Sequence, residues 1–158
     1  MNFLKKINLN SLIFNLFMPV ALSFIVTMLI GDFSDYYDSL DKLINVPSIA
    51  FPIAWVILYL LMGLASYFIF ELDSTESKNA YYLYWISLLI NILWPVFFFG
   101  FKMLLFSALW LVLLIVVVIL VMKKYFKLKK ISFYLLIPYL LWILFALFLN
   151  VSIYVLNS

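Results

Sequence analysis

Hydrophobic positions in this chain neither alternate nor fall into a narrow stripe; they run on. Five long apolar segments, at about 12–30, 48–70, 81–101, 104–122 and 131–156, each come near the ~20 residues that a helix needs to cross a hydrocarbon core. Charged residues are absent from all five and fall only in the stretches outside them. The pattern predicts an all-α integral membrane protein, a bundle of five transmembrane helices with sequence neighbours packed antiparallel. No internal repeat, low-complexity stretch or second compositional block interrupts it, so residues 1–158 read as a single transmembrane domain. The longest connection is an outer loop at about 32–46, where Asp32, Asp35, Asp38 and Asp41 stand against Lys42, with Tyr36 and Tyr37 in the middle. Long ordered loops often cover a site, although a solvated acidic loop with interfacial tyrosines has the same composition.

Composition narrows the chemistry. With 158 residues, 69% hydrophobic and 11% charged, a soluble fold has too little interior to hide the apolar surface. Cysteine and histidine are both absent, which removes thiol nucleophiles, disulfides, the usual general base and the commonest zinc ligands, and no metal site is expected. The ten basic residues are all lysines set beside apolar runs. They read as topology determinants, with no nucleic-acid partner. If the N-terminus is cytoplasmic, the inner side holds Lys5, Lys6, Lys78 and the cluster Lys123, Lys124, Lys127, Lys129 and Lys130, and the outer side only Lys42 and Lys102. Positive-inside counting therefore predicts a cytoplasmic N-terminus, an outer C-terminus and an outer acidic loop. The first segment follows Lys5 and Lys6 as a signal peptide would, but its apolar run is too long and no A-x-A-like site precedes Asp32, which predicts a retained helix.

Within the apolar runs, a few polar and aromatic residues converge in depth. The second segment carries Trp55, Tyr59, Met62, Gly63, Ser66 and Tyr67, with Trp55 near its outer end. At ~1.5 Å per residue, Asn91 of the third segment lies near mid-membrane and Trp94 in the outer half. Asn91, Trp94, Pro95 and Phe98 share one helix face by their spacing. The fifth segment puts Trp142 near the middle, Ala146 a turn above it and Asn150 near the outer surface, while Tyr37 hangs above in the loop. Aromatic walls with few polar groups suit a flat, apolar ligand. The competing reading is ordinary: membrane Trp and Tyr usually form interfacial belts, and a lone membrane Asn usually bonds a neighbouring helix. Trp142 fits that reading worst, because mid-membrane is the wrong depth for a belt. The stripe Asn15, Pro19, Ser23 and Thr27 is expected to bond backbone inside the bundle, with a kink at Pro19. Gly63 and Ser66 read as close-packing positions between helices. The uniformly aliphatic fourth segment, apart from Trp110, is expected to face lipid.

Three blocks resemble the tryptophan-rich sensory protein/translocator protein family, also called the peripheral benzodiazepine receptor family. FPIAWVILYLLMGLASY looks like F-P-x-x-W-x-x-L-Y-x-x-M-G-x-x-S-Y. NILWPVFFFGFK is similar to N-x-L-W-[ST]-P-x-F-F-G, and PYLLWILFALFLNVSIYVLN to P-Y-x-x-W-x-x-F-A-x-x-L-N. The resemblance runs from about Tyr36 to Asn157, with the first helix matching only in position and length. It implies a five-helix bundle, commonly a homodimer, that binds tetrapyrroles such as protoporphyrin IX beneath the first loop, between helices 1, 2, 3 and 5. Family members also bind sterols and synthetic benzodiazepine-site ligands. Position by position, the implied ligand-binding residues are Tyr37, Trp55, Asn91, Trp142 and Ala146; the depth argument adds Trp94. The resemblance also implies a multi-pass protein of a bacterial plasma membrane.

Three functions follow as expectations. The first is a membrane receptor for porphyrin-like ligands in tetrapyrrole or stress handling, with no resident cofactor. The second is light- and oxygen-dependent porphyrin degradation, as in some bacterial relatives, with Trp55 and Trp142 as the reacting side chains. The third is a tetrapyrrole or lipid carrier, although no intramembrane charge or repeat offers machinery for alternating access. The family loop W-Y-x-x-L-x-K-P-x-W-x-P-P reads YYDSLDKLINVP here, which implies a more mobile lid and an altered ligand preference. Pro95 replaces a pocket hydroxyl. The C-terminal sterol pattern requires Lys or Arg after Tyr154, whereas VLNS follows, so sterol binding through that pattern is not expected.

Overall fold

The computed structural model describes residues 7–158, which leaves Lys5 and Lys6 of the topology argument outside the described residues. Within them are seven α-helices: α1 (Leu9–Ile30), α2 (Ser34–Ser39), α3 (Ala50–Phe70), α4 (Thr75–Pro95), α5 (Leu104–Leu128), α6 (Lys130–Leu135) and α7 (Ile137–Asn157). A π-helical turn, Val96–Gly100, extends α4. Five stretches are long and apolar enough to cross a membrane: α1, α3, α4 with its π turn, α5, and α6 continued by α7. The predicted all-α membrane bundle is therefore what the chain forms.

Caps explain where the helices outrun their apolar windows. Asn8 accepts from the Ser11 N–H and starts α1 ahead of residue 12. Ser74 and Ser77 form a reciprocal capping box, so α4 begins six residues before the apolar run at 81. At the other end, α5 continues beyond Met122 to Leu128 because Tyr125 is still fully buried, while Lys123, Lys124 and Lys127 project outward from its last turns. The fifth predicted segment breaks at Leu136, ahead of Pro138, which cannot supply an N–H to a continuous helix and instead sits in the first turn of α7.

The fourth span corrects an expectation. It does not simply face lipid: Ser107, Ala108, Leu111, Leu114, Val118, Val121, Met122 and Tyr125 are buried, and α5 packs against α4 and α7. Its aliphatic sequence hid this because lipid and a helix interface are equally apolar. The peripheral helix is α1, which buries only Asn15 and Pro19.

Polar clasps lock the helices together. Asn15 of α1 accepts from Ser66 of α3 at 3.1 Å and from Tyr81 of α4 at 3.0 Å, and it donates to the Ser11 carbonyl. Gly63 lets α1 approach closely at this crossing: a Cβ there would collide with the Asn15 carbonyl and lie 2.8 Å from the Leu16 Cα. The close-packing role expected of Gly63 and Ser66 is met here. At the opposite end, Asn150 of α7 accepts from the Trp94 indole (3.1 Å) and from Ser107 (2.9 Å), and donates to the Leu104 carbonyl (2.8 Å). One side chain so joins α4, α5 and α7.

Candidate functional site

Pro95 shapes the site. Having no N–H, it leaves the Asn91 carbonyl without its helical partner and crowds it. The chain then widens into the π turn, with Phe101 donating to Val96 (2.8 Å) and Met103 to Phe97 (2.9 Å). That widening turns Phe98 and Phe99 inward, where both are buried.

Between α1, α3 and the C-terminal half of α4 lies a cavity of about 310 Å³, near the lower bound for small-molecule sites. Trp55, Tyr59, Trp94 and Phe99 wall it with Phe51, and Asn91 supplies polarity in its floor. On the α1 side it is closed by Val20, Ser23 and Thr27. The hydroxyl protons of Ser23 and Thr27 are spent on the Val20 and Ser23 carbonyls, at 3.0 and 2.9 Å, as the backbone-bonding reading of this stripe expects. Phe24 and Val56 also line the cavity while being 63% and 44% exposed, so its mouth opens sideways between α1 and α3, toward the bilayer.

Asn91 is both cavity wall and clasp. It accepts from the Tyr59 hydroxyl at 2.6 Å and donates to the Tyr139 hydroxyl at 3.1 Å, so α3, α4 and α7 meet on it. Its amide keeps one N–H beyond those bonds. Trp55 stacks on Tyr59 (centroids 5.4 Å apart) and meets Tyr139 and Trp142 edge-on, each at 6.3 Å.

Of the residues singled out from sequence, Trp55, Asn91 and Trp94 stand in the wall of this cavity. Trp142 does not line it; its ring lies behind Trp55 and Phe51, in edge contact with both. Tyr37 and Ala146 line a second space of about 10 Å³ toward α7, together with Leu149, Asn150 and Ile153. Phe51, Trp94 and Phe99 border both spaces. Sequence reasoning did not single out Tyr139, Phe51, Phe99, Ser23 or Thr27 as site residues. The signal for Tyr139 was present in the P-Y pair of the third block, and the polar stripe Asn15, Pro19, Ser23 and Thr27 marked the face of α1 that turns inward without marking Ser23 and Thr27 as cavity wall.

The loop between α1 and α3 is folded and tied. Asp32 accepts from both the Ser34 N–H and the Ser34 hydroxyl, which starts α2 and holds the Asp32 carboxyl below its ordinary pKa. Lys42 ends α2 by donating to the carbonyls of Tyr37 (2.6 Å) and Leu40 (2.8 Å), and its ammonium lies 4.6 Å from the Tyr37 ring centroid. Asp41 and Asn157 exchange two hydrogen bonds, at 3.0 and 2.9 Å, fastening the loop to the end of α7. Lys102 sits 4.8 Å from the Tyr36 ring centroid. Burial, with the Asp38 charge beside it, raises the Tyr37 phenol above its ordinary range. Tyr37 is only 2% exposed and packs edge-on against Phe51 at 5.2 Å and Phe99 at 6.5 Å, forming the ceiling over the partition between the two spaces.

Among the described residues, no group of three or more acidic, His or Cys side chains gathers that could hold a metal ion. The cavity lining contains no ionisable carboxylate or ammonium. What it offers is aromatic surface, a spare amide N–H and hydroxyl lone pairs. Such an arrangement can hold a flat apolar molecule but has no acid–base pair to act on one.

Residues 15–156 match the TspO/MBR family model. The chain is 34% identical over 125 residues to the tryptophan-rich protein TspO of Chlorobaculum tepidum, an alignment covering 77% of this chain and 79% of that one. It is 32% identical over 117 residues to the tryptophan-rich sensory protein of Cereibacter sphaeroides, covering 73% of each. To the translocator protein homolog of Schizosaccharomyces pombe it is 30% identical over 143 residues, covering 88% of this chain and 87% of that protein.

Proposed function

The chain belongs to the TspO/MBR family of multi-pass integral membrane proteins, and from that premise we propose that it is a membrane receptor for porphyrin-like tetrapyrroles of the protoporphyrin IX class. The observation that carries this reading is the aromatic cavity between α1, α3 and α4, walled by Trp55, Tyr59, Trp94 and Phe99 with Asn91 in its floor. A flat macrocycle gains from stacking on those rings, and the sideways mouth suits a ligand dissolved in the bilayer rather than in water. The lining carries no charge, so the ligand's apolar ring system occupies the cavity and its carboxylates stay at the mouth. Lipid and sterol ligands would compete for the same apolar surface. The lysines flanking α5 and α6 at one end of the bundle, against Lys42 and Lys102 at the other, support a cytoplasmic N-terminus and an outer loop and C-terminus in a bacterial plasma membrane. Assembly as a homodimer is proposed on the family resemblance alone.

The test is a titration of purified protein with protoporphyrin IX, read by quenching of tryptophan fluorescence, in wild type and Asn91→Ala. Saturable quenching in wild type, weakened in the variant, is the expected result. Absence of saturable quenching in wild type ends the porphyrin assignment.

A second reading rests on the Trp55–Trp142 contact. Trp55 faces the cavity and touches Trp142 edge-on at 6.3 Å, so an electron taken from the first indole could be replaced from the second. With excited porphyrin and oxygen as oxidants, that pair would support oxidative breakdown of the ligand. Illumination of the complex in air should then bleach the porphyrin band, and Trp55→Phe or Trp142→Phe should stop the bleaching while binding persists. A porphyrin band that survives illumination while its fluorescence still reports binding removes this reading.

A further inference from the structure

The described lysines divide by what their ammonium groups do. Lys42 donates to the Tyr37 and Leu40 carbonyls at 2.6 and 2.8 Å, Lys78 pairs with Asp73 at 2.9 Å, and Lys102 lies over the Tyr36 ring. At the end of the bundle where α5 passes into α6, five more fall within positions 123–130: Lys123, Lys124, Lys127, Lys129 and Lys130. All but Lys129 are exposed, and none of the five makes an ion pair with a described residue. No Asp or Glu follows Glu76 in the chain, so α5, α6 and α7 carry no counter-charge of their own.

Helix spacing crowds these charges. Lys127 lies four residues from Lys123 and three from Lys124, so on the last turns of α5 it is a surface neighbour of both. Like charges so placed repel and weaken the helix. The helix then breaks at Lys129, whose backbone is extended, and the Lys129 ammonium settles 4.7 Å from the centroid of the Phe68 ring on α3. Lys130 turns back toward α5. Its ammonium lies 5.6 Å from the centroid of Phe126, which is itself a surface neighbour of Lys123 by a spacing of three. Lys123, Lys127 and Lys130 therefore border one patch. Leu120, Phe126 and Ile131 are exposed at its edge, with Phe126 propped edge-on against Phe133 at 5.1 Å. Orientation in a membrane requires positive charge on one side, but not its crowding around exposed apolar side chains.

We propose that this patch holds the headgroup of an anionic phospholipid in the leaflet at the α5–α6 end. The phosphate sits among Lys123, Lys127 and Lys130, where it offsets their mutual repulsion, and the acyl chains run along Leu120, Phe126 and Ile131. The charge asks for an anion, and the apolar edge asks for a hydrocarbon tail joined to it. A soluble acidic partner satisfies only the first. A headgroup of net negative charge is selected over a zwitterionic one, because the ammonium of the latter meets the same lysines. The patch lies at the opposite end of the bundle from Lys42 and Lys102, and the inference does not depend on what occupies the aromatic cavity.

The experiment is native mass spectrometry of the purified protein in non-ionic detergent, where membrane orientation plays no part. Two lipids with the same palmitoyl and oleoyl chains, phosphatidylglycerol and phosphatidylcholine, are added together at equal concentration. Wild type should carry phosphatidylglycerol in preference by about tenfold or more, and Lys127→Gln alone should lower that preference by about three- to fivefold. The triple variant Lys123→Gln/Lys127→Gln/Lys130→Gln should bring it near parity, the corresponding triple Arg variant should keep it, and Lys102→Gln should leave it as in wild type. Glycerol 3-phosphate at the same concentration should not displace the lipid, since it lacks the tail. The inference is overturned if wild type takes up both lipids alike, which leaves the lysines to water or to a soluble acidic partner. It is overturned equally if the Lys127→Gln and triple Gln variants keep the wild-type preference, or if glycerol 3-phosphate displaces the lipid.

Discussion

At Gly63 the crossing of α1 and α3 brings backbone against backbone, and it gives a sharp prediction. Gly63→Ala would add a Cβ that collides with the Asn15 carbonyl and lies 2.8 Å from the Leu16 Cα, where ordinary contact begins near 3.4 Å. Both obstacles are backbone atoms, so no side chain can swing aside, and α1 must retreat by more than half an ångström. Its retreat stretches the bonds by which Ser66 and Tyr81 hold Asn15, now 3.1 and 3.0 Å long. Overpacking costs ~1–3 kcal/mol and each strained interhelical bond about 0.6 kcal/mol, so the substitution should destabilise by ~2–4 kcal/mol. Because α1 also carries Val20 and Ser23 of the cavity wall, ligand affinity should fall as well. Unfolding by SDS titration in mixed micelles, followed by far-UV circular dichroism, reads the stability directly. Gly100→Ala is the control, since a Cβ there meets nothing nearer than 3.9 Å. If Gly63→Ala unfolds at the wild-type SDS fraction, the crossing does not depend on close backbone contact and the reasoning is wrong.

Other expectations follow from the same contacts. Asn91→Leu strips both Tyr59 and Tyr139 of their partner and should cost about 2–4 kcal/mol of stability in the SDS assay, against ~1 kcal/mol for Tyr139→Phe, which removes a single bond. Lys42→Met removes the donor that ends α2 and should speed amide hydrogen exchange across 34–46 while leaving exchange in α3–α7 as in wild type. The Asp32 carboxyl is held low by its two bonds from Ser34, so the contribution of this α2 cap is fully present above the usual carboxylate range and is lost as pH falls through the depressed value. Carboxyl ¹³C titration should show Asp32 protonating at lower pH than a free aspartate, and Ser34→Ala should move it back up.

How much of this was readable beforehand depends on where the physics is local. Span number and order come from apolar runs of bilayer length, and those need no tertiary information. Trp55, Asn91 and Trp94 could be brought to one depth because rise per residue is fixed in a helix. Depth does not give azimuth, however, and that is where the site reading diverged. Ala146, expected a turn above Trp142, and Tyr37, expected above in the loop, line the smaller space, which Phe51 and Phe99 border together with the larger cavity that Trp55 lines. The burial of one face of α5 was invisible for the same reason, since Leu111, Leu114 and Val118 are as content in lipid as in a helix interface. The ordinary reading of a membrane Asn as an interhelical bond holds for Asn15 and Asn150, and at Asn91 it holds together with a place in the cavity wall. The tied loop and α2 depended on Asp32–Ser34, Lys42 and the remote pair Asp41–Asn157, and a pairing across the chain cannot be read from spacing.

The central claim is that a porphyrin-like ligand sits in the cavity between α1, α3 and α4. Filling that cavity tests it most directly. Val20 lines it from α1 and is only half-buried, so Val20→Trp can place an indole in the space without opening the core. Protoporphyrin IX titrations of wild type and Val20→Trp, with SDS unfolding as the check on fold, should show an affinity loss of about tenfold or more at unchanged stability. Wild-type affinity in a stable Val20→Trp protein would put the ligand somewhere else and contradict the account.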